Sequence, residues 1–218
     1  MRKATINVED LVTIDKEPRR YELVLLQQGE VARCSPYTDK DRRPVDPPPI
    51  LRLLVYDKDG RLDDNAARWP YFVLHTSIAT YTPSERPLQQ SEILQGLLTS
   101  SAHYCVSGDA HSSGCYFNLS DISFATIGVF QLKFTLFTVL GMPIAPTETQ
   151  VLAEVVSKPI RSYTPREFPG MAQSSPLAKS LSERGLIIPV RNEDHRMRAK
   201  RDSQREYKEH KDYKNTKT

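Results

Sequence analysis

The chain has 218 residues, 39% of them hydrophobic and 26% charged, which suits one domain with tails or at most two small ones. No apolar run reaches the length of a membrane span, and Met1 to Asp10 lacks the apolar core of a secretory signal, so the expectation is a soluble intracellular protein with no membrane partner. The net charge of +3 is small but unevenly placed: from Arg191 to Thr218 ten Lys/Arg stand against six Asp/Glu, so the basic character belongs to a tail and to one loop. Three cysteines at irregular spacing make no disulfide framework, and sixteen prolines against nine glycines predict short, stiff connections rather than long helices.

Residues 1–20 are polar and mixed, an arm or edge strand. Tyr21 to Gln28 and Ile50 to Tyr56 are apolar runs that predict strands, the second closed by the turn residues Asp57-Lys58-Asp59-Gly60. Trp69 to Ile78 alternates in part and predicts a third strand. Ser91 to Leu98 is apolar but too short for its period to tell helix from strand. Ala102 to Val106 and Cys115 to Leu119 flank the polar, glycine-marked segment 107–114 and predict a hairpin. Val129 to Phe137 and Gln150 to Ser157 predict two more strands.

Helix grammar is complete at one place only: Ser175 as N-cap, Pro176 at the first helical position, Leu177 and Leu181 four apart, and Gly185 after Arg184 as the stop. Ile187 to Val190 then predicts a short strand. Seven or eight short strands with one late helix predict a mainly β fold, a sandwich first and a closed barrel as its rival. After Arg191 the chain is too polar to offset its ordering entropy, and residues 192–218 are expected to be disordered or a solvated helix.

The stretch from Arg33 to Pro49 carries the chemistry. It lies between two predicted strands, and Pro47-Pro48-Pro49 stiffens its return. Arg33, Lys40, Arg42 and Arg43 are candidate DNA contacts, since arginine bonds guanine bidentately and lysine neutralises phosphate. The plainer reading is a solvated surface in which Arg42 or Arg43 pairs with Asp39, Asp41 or Asp46. In the tail, Arg196, Arg198, Lys200 and Arg201 suit either nuclear localisation or a sequence-blind DNA clamp, against a generic solvated tail.

Other constellations are weaker. His103, Cys105, His111 and Cys115 are metal-ligand types, but their spacing matches no common zinc site, and two small buried cysteines with surface histidines is the plainer account. Cys34 beside Arg33 has the setting of a redox sensor or of ordinary packing. His75 reads as a satisfied core or interface residue. The proline run either fixes loop geometry or serves as an SH3-type ligand. No G-x-S-x-G, H-E-x-x-H or phosphate-cradling glycine loop occurs, so neither catalytic residues nor a cofactor is assigned and the expectation is a non-enzyme.

Three blocks resemble a known family. The first is Tyr21-Glu22-Leu23-Val24, Gln27-Gln28, Ala32-Arg33-Cys34, Asp39-Lys40-Asp41-Arg42-Arg43-Pro44 and Pro47-Pro48-Pro49. The second is Tyr116 to Ser123 with Phe130 to Phe134. The third is Phe168-Pro169-Gly170-Met171, Ser175 to Lys179 and Gly185 to Arg191. In this order, over residues 21–191, they resemble the velvet family of fungal regulators of development and secondary metabolism. The Asp39 to Arg43 spelling and the Ile-Pro-Val-Arg ending look most like its VelB-type branch.

The resemblance implies an immunoglobulin-like β-sandwich similar to the Rel-homology DNA-binding domain, with action in the nucleus and shuttling to the cytoplasm. It also implies sequence-specific binding of double-stranded DNA through Lys40, Arg42, Arg43 and Arg33, in control of sporulation and secondary metabolism. The implied partners are other velvet proteins, as homo- or heterodimers, and a methyltransferase-type regulator. The alternative is an interaction subunit that does not itself read DNA. Gly29 stands where the family usually has proline, and Phe124-Ala125-Thr126 where it often has a basic residue followed by Glu-Gly.

Overall fold

Period-two burial along the long strands sets the architecture. The computed structural model describes residues 19–35, 42–82, 93–106, 113–139 and 151–191. In chain order these form β1 (Arg20–Gln27), β2 (Val31–Arg33), β3 (Ile50–Tyr56), α1 (Asp64–Ala67), β4 (Phe72–Thr82), β5 (Leu94–Gln95) and β6 (Thr99–Ser101). Then come β7 (His103–Cys105), β8 (Gly114–Asn118), β9 (Ser123–Phe124), β10 (Gly128–Thr138), β11 (Val151–Val156), β12 (Ile160–Tyr163) and α2 (Pro176–Glu183).

One sheet has the order β1-β3-β8-β7. The other runs β2-β12-β10-β4-β6, with β11 on the same edge of β10 as β12. A small β5-β9 pair stands apart, and β2–β12 is parallel. In β10, Phe130, Leu132, Phe134 and Leu136 are buried while the residues between them are half-buried on the opposite face. Leu51, Leu53 and Val55 of β3 and Phe117 of β8 join them in one core, with Phe124 stacked on Phe130 at 4.4 Å between centroids. The chain is a mainly β sandwich.

β1 and β2 belong to different sheets, so the chain crosses between them at Gln28 and Gly29. A Cβ on Gly29 would lie 2.5 Å from Val45 Cγ1, which is why this crossing takes glycine rather than the proline the resemblance leads one to expect. On the outer face of the first sheet, α2 lays Leu177, Ala178 and Leu181 against Ile50, Cys105 and Tyr116, with Leu186 and Ile188 closing the cluster. Ser175 Oγ caps α2 by accepting the Ala178 N–H at 3.0 Å, and Gly185 takes φ +92° at its end.

The expected strands at 21–28, 50–56, 129–137 and 150–157 are found nearly to the residue. The third begins at Phe72 rather than Trp69, because α1 and its following turn occupy the approach, and it runs on to Thr82. The ambiguous stretch at 91–98 contains the two-residue β5, followed by a turn at Gly96. Ile187 to Val190 is not a strand: Ile188 is buried under α2, and the segment joins no sheet. The expected hairpin exists as the antiparallel β7–β8 pair, while its tip at 107–112, the arm at 1–18 and the tail from 192 lie outside the described residues.

Candidate nucleic-acid interface

The loop that leaves β2 and returns as β3 is anchored on both limbs. On the outgoing limb, Cys34 N–H donates to Tyr163 O at 2.8 Å and Ser35 N–H to Phe124 O at 3.0 Å. Cys34 Sγ lies 3.1 Å from Ala125 O. On the returning limb, Val45 N–H donates to Ile122 O at 2.7 Å, and Asp46 exchanges backbone bonds with Val31. Lys40, with Pro36 to Asp41, lies outside the described residues, as do Asp39 and the tail residues Arg196, Arg198, Lys200 and Arg201.

The three described arginines differ. Arg42 Nη2 lies 2.7 Å from Asp121 Oδ1, and its Nη1 donates to Asp121 O at 2.8 Å. Asp121 was not among the aspartates named from the sequence, of which Asp39 and Asp41 lie outside the described residues. Arg43 is exposed, and its guanidinium donates to Arg42 O at 3.2 Å. Arg33 is half-buried on β2, with a buried Nε that has no hydrogen-bond partner. The parallel register sets Arg33 beside Tyr163 and Val31 beside Arg161, and the exposed Arg161 places its guanidinium 5.3 Å from the Tyr163 ring centroid. Sequence reading missed Arg161 and Tyr163. The available signal was period two in Ile160-Arg161-Ser162-Tyr163, a strand too short to stand out.

Asp46 forms the base of the loop. It is 2% exposed, with Oδ1 2.6 Å from Arg191 Nη1 and Oδ2 accepting the Ala172 N–H at 2.6 Å. Gln27 Nε2 donates to Pro48 O at 2.7 Å, and the Ser175 hydroxyl donates to Gln27 Oε1. These contacts join the first and last resembling blocks, and the chain leaves for its basic tail from the foot of the loop. The proline run accordingly lies in a bonded, structural setting.

The cysteine and histidine set is dispersed. Register pairs Tyr104 with Cys115 and Cys105 with Gly114, so Cys115 faces the main core and Cys105 the cluster under α2. Cys115 thus takes the strand face opposite to that of His103 and Cys105. His111 lies outside the described residues. Burial pushes the Cys34, Cys105 and Cys115 thiols up, Cys115 to about 12. Cys34 thus lacks the depressed thiol of a redox sensor. His75 is half-buried on β4, in register with Thr135 and Thr99. Among the described residues no helix is long and apolar enough to cross a membrane.

A family model described as velvet factor matches residues 21–88 and 79–195. The chain is 31% identical over 201 residues to the sexual development regulator umv3 of Mycosarcoma maydis, covering 85% of this chain and 48% of that protein. It is 34% identical over 192 residues to the spore development regulator vosA of Beauveria bassiana, covering 81% and 67%. It is 29% identical over 234 residues to the developmental and secondary metabolism regulator veA of Emericella nidulans, covering 92% of this chain and 40% of that protein. The chain thus spans between 40% and 67% of the length of these relatives. These three names do not decide for the VelB-type branch.

Proposed function

The chain belongs to the velvet family, and from that membership we propose that it is a non-enzymatic, sequence-specific DNA-binding regulator of development and secondary metabolism, working in the nucleus as a velvet homo- or heterodimer. The observation that carries this reading is the loop: Arg43 stands exposed on a limb whose flanks are bonded to β9, β12 and the Asp121 turn. A guanidinium carried on an anchored limb binds with less ordering entropy than one on a free tail. Arg43 with Lys40 supplies phosphate neutralisation and a bidentate donor for guanine. Arg33, Arg161 and Tyr163 extend the same edge along β2 and β12. The tail residues Arg196, Arg198, Lys200 and Arg201, tethered through Arg191 to Asp46, add sequence-blind affinity or a nuclear import signal.

The test is a gel shift with the purified chain across a salt series. The wild type binds duplex DNA with an affinity that falls steeply as salt rises, and Lys40→Ala/Arg42→Ala/Arg43→Ala abolishes specific binding. Unchanged binding in the triple variant overturns the loop reading.

One observation favours a second reading, an interaction subunit that pairs with another velvet protein or a methyltransferase-type regulator without touching DNA. Val129, Val151 and Val156 are 36%, 51% and 48% exposed on the adjacent strands β10 and β11. Sedimentation of the chain alone and with a second velvet protein separates the two, because this reading requires complex formation with no DNA shift in either sample.

A further inference from the structure

Asp121, in the turn between β8 and β9, holds three separate segments together. Its Oδ1 binds Arg42 of the loop at 2.7 Å, its backbone oxygen takes a second bond from Arg42 at 2.8 Å, and its Oδ2 accepts the Leu97 N–H at 3.2 Å. The turn carrying Leu97 closes tightly over this pair. A Cβ on Gly96 would lie 1.8 Å from Asp121 O and 2.2 Å from Arg42 Nη1, and Gly96 has φ +98°. Only glycine satisfies both the backbone angle and the space. The Arg42 side chain is 20% exposed although its neighbour Arg43 is open to solvent. For Arg42 to reach a phosphate it must leave two charge-assisted bonds to one residue, a geometry that fixes orientation as well as adding energy.

We propose that Asp121 is a positioning residue for the DNA-facing loop, with Arg42 as the strut it grips and Arg43 as the cation thereby presented. This rests on the loop reading above. It makes a prediction opposite in sign to simple electrostatics. An acidic side chain near bound DNA repels phosphate, so deleting it would tighten binding. A latch, when deleted, loosens the loop and weakens binding.

The experiment compares the full wild-type chain with Asp121→Ala, Asp121→Asn, Arg42→Ala, Arg42→Ala/Asp121→Ala and Arg43→Ala. The probe is a duplex selected from a random-sequence pool by the wild type, titrated across salt. Amide hydrogen exchange at 33–35 and 42–46 is measured without DNA, and thermal midpoints confirm folding. Asp121→Ala is expected to weaken binding about 3- to 10-fold, and the double variant to bind no more weakly than Arg42→Ala alone, as for two residues acting through one contact. The slope of log K against log salt stays at the wild-type value in Asp121→Ala and Arg42→Ala, but falls by about 1 in Arg43→Ala. Asp121→Asn, which keeps an acceptor for Leu97 N–H, recovers part of the loss.

Tighter or unchanged binding in Asp121→Ala overturns the proposal, as does a reduced salt slope in Arg42→Ala. If the wild type binds no duplex, the DNA reading falls and the latch is judged by exchange alone. Faster exchange of the loop amides in Asp121→Ala then upholds the positioning role, and unchanged exchange ends it.

Discussion

Arg42 and Arg43 are chemically identical neighbours, and their surroundings separate them. Arg42 is gripped by Asp121, 79 positions further along the chain, while Arg43 is exposed. The sequence marks both as candidate DNA contacts and offers the nearby aspartates as partners, because local spacing carries no information about a turn so distant. The same holds for Asp46 and Arg191. Arg191→Ala leaves a 2%-exposed carboxylate without its cation, while Arg191 itself is 32% exposed, so the cost is expected near the low end for a broken buried pair, about 3 kcal/mol by urea denaturation. Gly29→Ala sets a methyl group against Val45 and is expected to lower stability by about 1–3 kcal/mol in the same assay. The cysteines offer a pH-linked check. Burial raises the Cys115 thiol from its ordinary value to about 12, so above about pH 9 the unfolded chain loses this proton first and stability falls as pH rises, read from the thermal midpoint between pH 8 and pH 10. Thiol reagents at pH 8 are expected to leave all three buried cysteines largely unlabelled until denaturant is added.

Elements differ in how local their causes are. The helix α2 was legible because its cap, its proline and its glycine stop are consecutive signals, each of which acts within one turn. Ser175→Ala is expected to cost about 1 kcal/mol for the lost cap, and somewhat more because the same hydroxyl bonds Gln27. Leu181→Ala, with the side chain 1% exposed against the outer sheet face, is expected to cost about 2–5 kcal/mol, measured by chemical denaturation. Long strands such as β3 and β10 were legible for a similar reason, since an apolar run in the first and alternation in the second extend over seven or more consecutive residues. β2, β5, β6, β9 and β12 have four residues or fewer, too few for a pattern, and exist because neighbours supply their hydrogen bonds. Two of these, β2 and β12, frame the candidate interface, so the part of the site built from Arg161 and Tyr163 was the part the sequence concealed.

At the scale of the molecule, the two sheets share one core, and the segment after β12 returns to cover the first sheet and bind the foot of the loop. A chain ending at Met171 is therefore expected to lose cooperative thermal unfolding, because Ile50 and Tyr116 lose their cover and Asp46 loses both Arg191 and Ala172. A chain ending at Arg191 is expected to keep a wild-type midpoint. The sequence by itself determined the class of fold, the boundaries of the long strands and α2, the family and the basic loop. All of these rest on consecutive residues, where periodicity and capping act within a few positions. Only the tertiary structure decided which carboxylate holds which arginine, which face each cysteine takes and which short strands frame the loop. Those outcomes depend on register and burial between segments far apart in the chain, where a shift of one residue reverses a face and a single distant aspartate turns one of two adjacent arginines inward.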